Sequence, residues 1–210
     1  MTTISADGES AEESGGIWDV LFEDLLRGVV HAMNNRLTAL SAFAELAGMD
    51  GEDLELDVLR NEITRMHAAS SIVGLLVSRA DAEALEVRPV LDIALEVHAH
   101  HPRMRAIVCA VEESSGTLPV RVPRWALLRV LLLLIDAAKR EGEQARLATV
   151  PIRVTGDDDT VRVHIATKEA ANGEASRLAA LCGGTIKTVG DEQVLRLISL
   201  PAQRRRERAG

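Results

Sequence analysis

LLRGVVHAMNNRLTALSAFAEL, residues 25–46, decides how the chain folds. It lies in a proline-free stretch from Ile17 to Met49. Within that stretch Phe22, Leu25, Val29, Met33, Leu37, Leu40, Ala44 and Ala47 recur at spacings of three and four, which is one apolar face of a helix. At roughly 100° per residue, His31 falls opposite that stripe. Asp24, Arg27, Asn34, Asn35, Thr38 and Glu45 share its side of the helix. Asparagine is a mediocre helix former, because its amide competes for backbone hydrogen bonds. Two asparagines beside a histidine in mid-helix therefore answer to something other than helix propensity.

A turn follows at DGED (50–53), where Asp50 or Asp53 is available as an N-cap. Leu56, Leu59, Ile63, Met66, Ser70, Val73 and Val77 then form a second helical seam at alternating spacing, polar only at Ser70. Two long helices joined by a short loop predict an αα-hairpin. One hairpin cannot bury both stripes, so the reading is a homodimer whose two hairpins make a four-helix bundle.

Composition agrees with such a design. Hydrophobic residues make up 47% of the 210, but aromatics are only 2% and tyrosine is absent, so the core is built from Leu, Ala, Val and Ile. The net charge of −8 argues against general affinity for nucleic acid or anionic membrane. Two cysteines, Cys109 and Cys182, offer no disulfide framework and suit a reducing compartment. The start of the chain has no charged-then-apolar signal pattern. The run LLRVLLLLI (127–135) is too short to span a bilayer and carries Arg129, so the expectation is a cytoplasmic protein.

Residues 1–15 read as a disordered acidic tail and 16–82 as the helical hairpin domain. From 83 to 201 the pattern changes to a mixed sheet with helices on one face. Pro89 opens a helix after a short strand. RAIVCAVEE (105–113) and TLPVRVP (117–123) read as strands, and Trp125 to about Arg140 as an apolar helix. Hairpins are predicted around GDDD (156–159) and within TIKTVGDEQVLRLISLP (185–201), with the helix EASRLAALCGG (174–184) between them. Residues 202–210 read as a charged, fraying tail. The fold class is thus α+β: an αα-hairpin followed by an α/β sandwich.

HAMNNRLTAL (31–40) resembles the H-box of bacterial sensor histidine kinases. That motif runs as His, acid, an apolar residue, any residue, Asn/Thr/Ser, then Leu and an aliphatic residue three further on. His31 matches the phosphoacceptor, Met33 the apolar position, Asn35 the polar position, and Leu37 and Leu40 the buried ones. The resemblance implies that the hairpin is similar to the family's dimerisation and histidine-phosphotransfer domain. It also implies that residues 83–201 are similar to its ATP-binding domain. An imidazole titrates at about pH 6.5 in water, so a neutral ring nitrogen is available as a nucleophile near neutrality. Asn35 lies one turn after His31, placed to bond a phosphoryl group or orient a water. Arg27 lies one turn before it, placed to offer positive charge. Asn34, Thr38 and Asp24 are the expected partner-binding positions on the same face.

The departures from the family are as informative as the matches. The acid after the histidine, which serves as base in autophosphorylation, is Ala32, and the proline often found after the polar position is Arg36. On the helix matching the family's N-box, the two magnesium- and phosphate-binding asparagines correspond to Leu133 and Ala137, which have no oxygen ligands to offer. The Asp-x-Gly-x-Gly adenine motif is replaced by TKEAANG (167–173), and the later glycine-rich phosphate segment is missing. Gly183 and Gly184 do match, at a helix-to-strand turn.

The C-terminal domain therefore reads as a degenerate ATPase that binds no nucleotide. The chain reads as a histidine phosphotransferase passing phosphate between receiver-domain aspartates through His31, without autokinase activity. The alternatives are an adaptor, or a phosphatase acting on a response regulator. The expected partners are response-regulator receiver domains and a second copy of the chain, with no cofactor of its own and magnesium supplied by the receiver. HAHH (98–101) reads as an exposed polar helix end, His67 as a flank of the bundle, His164 as an outward strand position and DDD (157–159) as a turn.

Overall fold

A computed structural model describes residues 9–50, 56–104, 106–112 and 118–209. The DGED turn beyond Asp50, residues 1–8 of the expected tail and parts of the loops at 105 and 113–117 lie outside the described residues. In chain order the elements are α1 (Glu9–Asp50), α2 (Leu56–Val77), β1 (Ala82–Leu85), α3 (Val87–Ala99), β2 (Val108–Glu112), β3 (Val120–Pro123) and α4 (Arg124–Gln144). They continue as β4 (Thr149–Gly156), β5 (Thr160–Ala166), α5 (Gly173–Leu181), β6 (Thr185–Val189), β7 (Glu192–Ile198) and α6 (Leu200–Ala209). The chain is α+β, a long helical hairpin followed by a mixed sheet with helices.

The main sheet has the order β2-β4-β5-β7-β6, with β2 parallel to β4 and the other pairs antiparallel. β1 and β3 form a separate antiparallel pair. Alternation along the strands does the sorting: Val150, Ile152 and Val154 of β4 and Val161, Val163 and Ile165 of β5 turn to the core. On the opposite face His164 sits among Arg153, Thr155 and Glu192, with its Nδ1 3.0 Å from Glu192 Oε2. α4 is the central rod. Its residues Ala126–Leu128 and Val130–Lys139 are all buried, because the sheet covers one side of it and helices cover the other. Gly183 (φ 63°) and Gly184 make the turn from α5 into β6. A Cβ on Gly184 would run into the Arg196 carbonyl and come within 2.7 Å of Leu197 Cδ2.

Two expectations about the chain ends are corrected. α1 opens at Glu9, inside the stretch read as a disordered tail. The segment after Pro201 is helical (α6), because the Ser199 hydroxyl accepts from Ala202 N at 3.3 Å and Arg205 donates to Asp158 O (3.0 Å) and Asp159 Oδ1 (2.6 Å). The DDD turn is therefore also an anchor for α6. Its first carboxylate, Asp157, accepts from the backbone of Asp159 and Thr160 and from Arg162, which holds its pKa down at about 2.

α1 and α2 run antiparallel, with Arg36 3.8 Å from Glu62. The N-terminal half of α1 lies on the α/β domain, where Trp18, Leu21, Leu25 and Val29 are buried. Contact is tightest at Gly28, where any Cβ would collide with the His100 carbonyl at the end of α3. Both tryptophans of the chain sit at this junction, on either side of Arg129. The guanidinium carbon is 4.7 Å from the Trp18 ring centre and 5.3 Å from that of Trp125, and Nη2 donates to Leu76 O at 3.0 Å. One cation thus staples α1, α4 and the end of α2.

Candidate functional site

His31 is exposed on α1, one helical turn beyond the Gly28 crossing. Asn35, one turn further on and also exposed, places its Nδ2 3.3 Å from His31 Nε2. When Nδ1 carries the ring proton, the Nε2 lone pair accepts from that amide, so Asn35 orients the ring and has to release it for Nε2 to act as a nucleophile. The surrounding face is open: Asn34 and Thr38 are exposed, and the Thr38 hydroxyl donates to the Asn34 carbonyl at 3.0 Å. A face of this kind admits a partner whose own groups complete the chemistry.

Arg27 lies beside this face but turns away from His31. Its Nη2 pairs with Glu23 Oε1 at 2.7 Å, and its Nη1 lies 3.6 Å from Asp24. Asp24, expected as an exposed partner-binding residue, is corrected by the structure. It is only 8% exposed, because this half of α1 is covered by the α/β domain. Its carboxylate lies 3.7 Å from His101 Nε2 and 3.9 Å from Arg103.

The HAHH reading is corrected at the same place. His98 and His101 are buried at 0% and 4% exposure, and their rings stack with centres 5.2 Å apart. His98 Nε2 lies 3.3 Å from Asp136 Oδ1 on α4, and Arg140 Nε lies 2.9 Å from Asp136 Oδ2. Burial by itself raises the Asp136 pKa, but the bond from His98 and the charge of Arg140 outweigh it and hold the carboxyl below its ordinary range. Burial, together with the charge of His98, pushes His101 down. The result is a chain of charge from α1 (Asp24) through the end of α3 to α4. Its signal in the sequence is Asp136 inside the otherwise apolar run from Val130 to Ala138, a residue that is rarely buried without a partner. His67 is exposed on α2, and its backbone carbonyl accepts from Ser71 Oγ at 2.8 Å.

At the positions matching the nucleotide-binding residues of the family, Leu133 belongs to the apolar core at 3% exposure, and Ala137 is 9% exposed. The loop in place of the adenine motif is tied to α4: Glu141 Oε2 accepts from Thr167 Oγ1 and Lys168 N, each at 2.7 Å. Asn172 then caps α5 through Ala175 N at 2.7 Å. Among the described residues no group of three or more His, Cys, Asp or Glu is placed to hold a metal ion, and no helix is long and apolar enough to cross a membrane.

Fold and site define the chain as an α+β protein that presents an exposed histidine–asparagine pair on a helical hairpin docked to an α/β sandwich. No protein-family model matches it, and no curated protein matches it. Among solved structures it is similar to the ATP-binding domain of PrrB from Mycobacterium tuberculosis, at 15% identity over 57% of this chain and 98% of that one, with a TM-score of 0.46. It is similar to the histidine kinase ThkA, solved in complex with the response regulator protein TrrA, at 16% identity over 95% of this chain and 69% of that one (TM-score 0.45). A histidine kinase from Burkholderia phymatum is a third, at 16% identity over 92% and 98% of the two chains (TM-score 0.41).

Proposed function

We propose that the chain is a phosphorelay histidine phosphotransferase of two-component signalling. His31 Nε2 attacks the phosphorus of a receiver's aspartyl phosphate. The new P–N bond forms as the P–O bond to the aspartate breaks, and the carboxylate is released. A second receiver's aspartate then takes the phosphoryl group back by the reverse displacement. The observation that carries this reading is the exposed His31 Nε2 with the Asn35 amide 3.3 Å away, on a face free to meet a partner. The absence of an acid at Ala32 and of oxygen ligands at Leu133 and Ala137 supports transfer without autokinase activity. In this reading the receiver brings magnesium and aspartate, and Asn34 and Thr38 belong to its docking surface.

A homodimer belongs to the same proposal. Leu37, Phe43 and Ile63 remain 46%, 41% and 43% exposed on the far half of the hairpin. Phe43 lines a groove of about 190 Å³ together with Ala39, Leu40, Leu59 and Glu62. A second hairpin would cover them.

The test is incubation with phosphorylated receiver domains. Wild type should acquire acid-labile, base-stable label; His31→Ala and His31→Gln should acquire none, and Asn35→Ala should transfer more slowly. Absence of label with every receiver of the source organism overturns the proposal. Receiver dephosphorylation that survives His31→Ala but fails in Asn35→Ala would instead identify a phosphatase, and partner binding unaffected by both would identify an adaptor.

A further inference from the structure

The main sheet ends on β2 at one side and on β6 at the other, and among the described residues neither outer edge is paired. Val108 N donates to Ala148 O at 3.1 Å, so Val108, Ala110 and Glu112 direct their backbone groups to β4. Alternation then turns the N–H and C=O groups of Cys109 and Val111 outward, where no strand meets them among the described residues. Edges of this kind are usually guarded by lysine, proline or a bulge, because they are templates for another strand. β6 follows that rule, with the exposed Lys187 at its centre. β2, VCAVE, carries neither lysine nor proline, and Val108 stays 61% exposed.

What lies beside the edge narrows the occupant. Cys109 and Val111 turn their side chains to the helix-covered face, packed against the core. There an open groove of about 240 Å³ is lined by Leu95 and Ala99 of α3, Ile107, Val108 and Cys109, and Lys139 of α4. A strand added antiparallel to β2 would set two residues opposite Cys109 and Val111. Their N–H and C=O groups would meet the free edge, and their side chains would lie over the groove. Apolar side chains fit that wall, and the Lys139 amine disfavours a basic one. On the other face Glu112 is exposed and forms no ion pair among the described residues, which favours a basic residue opposite it. A second copy of the chain is a poor occupant: a strand of 5 residues supplies far less than the roughly 800 Å² per partner that a stable dimer buries.

We propose that the β2 edge is a docking site for an extended peptide of a partner protein. The peptide adds antiparallel to β2, with apolar residues opposite Cys109 and Val111 and a basic residue opposite Glu112. The site lies on the α/β domain and is independent of His31 and of the relay reading.

The test uses the full chain and the acetylated, amidated peptide KVTVT, whose valines face the groove and whose lysine meets Glu112. In amide NMR, KVTVT should shift the Cys109 and Val111 signals saturably and slow their exchange with solvent. N-methylation of its valines, which removes the N–H groups aimed at β2, should weaken binding by about tenfold or more. N-methylation of its threonines, whose N–H groups point away from β2, should leave binding in place. Glu112→Lys should weaken KVTVT and favour EVTVT. Val111→Pro removes an edge N–H without breaking a bond to β4, and should weaken KVTVT as well. Amides of Cys109 and Val111 that do not respond, binding that ignores which residues are methylated, or a peptide preference unchanged by Glu112→Lys overturns the proposal. Protection of these amides that grows with protein concentration in the absence of peptide would identify a second copy as the occupant and overturn it too. The methylated peptides decide the matter even where Val111→Pro folds poorly.

Discussion

The two halves of α1 carry the same apolar spacing and meet different fates. In the N-terminal half Leu25 and Val29 are fully buried against the α/β domain; in the C-terminal half Leu37 is 46% exposed and Phe43 41%. The stripe that reads as one bundle interface is divided, with one part used inside the chain and the other left open. His31 stands at the division, just past the Gly28–His100 crossing. The docked half holds the helix rigidly, and the open half leaves the histidine accessible to another molecule.

The sharpest way to break this contrast is to truncate the same residue type on each side. Leu25→Ala should cost about 2–5 kcal/mol, as buried leucines do, whereas Leu37→Ala in the isolated chain should cost under about 1 kcal/mol. Chemical denaturation of both variants at low protein concentration checks this. Gly28→Ala should come next, at about 1–3 kcal/mol, because the added methyl has a backbone carbonyl in its way and no flexible side chain to displace. Arg129→Met should cost about 1–2 kcal/mol from the lost cation–π contacts and the bond to Leu76 O. Since Trp18 and Trp125 both flank Arg129, it should also change tryptophan fluorescence.

Acid should loosen the docked half by a smaller, graded amount. The folded state holds His101 below its ordinary 6.5. The unfolded chain therefore takes up that proton first, and stability falls as pH drops from about 6.5 through the lowered folded value. Asp136, held below its ordinary 3.8, contributes stability that is present above that value and lost as pH falls further. A fluorescence–pH titration should show both phases, and His101→Gln should remove the upper one. Smallest of all, Leu37→Asp should leave the melting of a dilute sample nearly unchanged yet abolish self-association in sedimentation velocity. A monomeric wild type under the same conditions would sink the dimer reading.

Much of the architecture was legible because it is periodic. The three-four spacing of α1 and α2, the alternation in β4 and β5 and the glycines after α5 each report a local geometry that neighbouring residues enforce together. The His31–Asn35 pair was legible for the same reason, since four residues make one helical turn. The buried roles of Asp24, His98, His101 and Asp136 were not, because they are far apart in sequence and become partners only when α1, α3 and α4 pack. Exposure suffered likewise. Asp24 and Asn34 read as members of one helical face, but the α/β domain covers the first and spares the second.

By itself, then, the sequence determined the order and kind of the elements from α1 to β7, the side of the helix on which His31 lies and the lack of oxygen ligands at Leu133 and Ala137. Those depend on the identity and spacing of near neighbours. Tertiary structure alone decided which half of α1 is buried, that the tail after Pro201 is a helix held by Arg205, and that Asp24, His98, His101 and Asp136 meet in one buried cluster. Each of these depends on what the rest of the chain brings alongside, which no local pattern encodes.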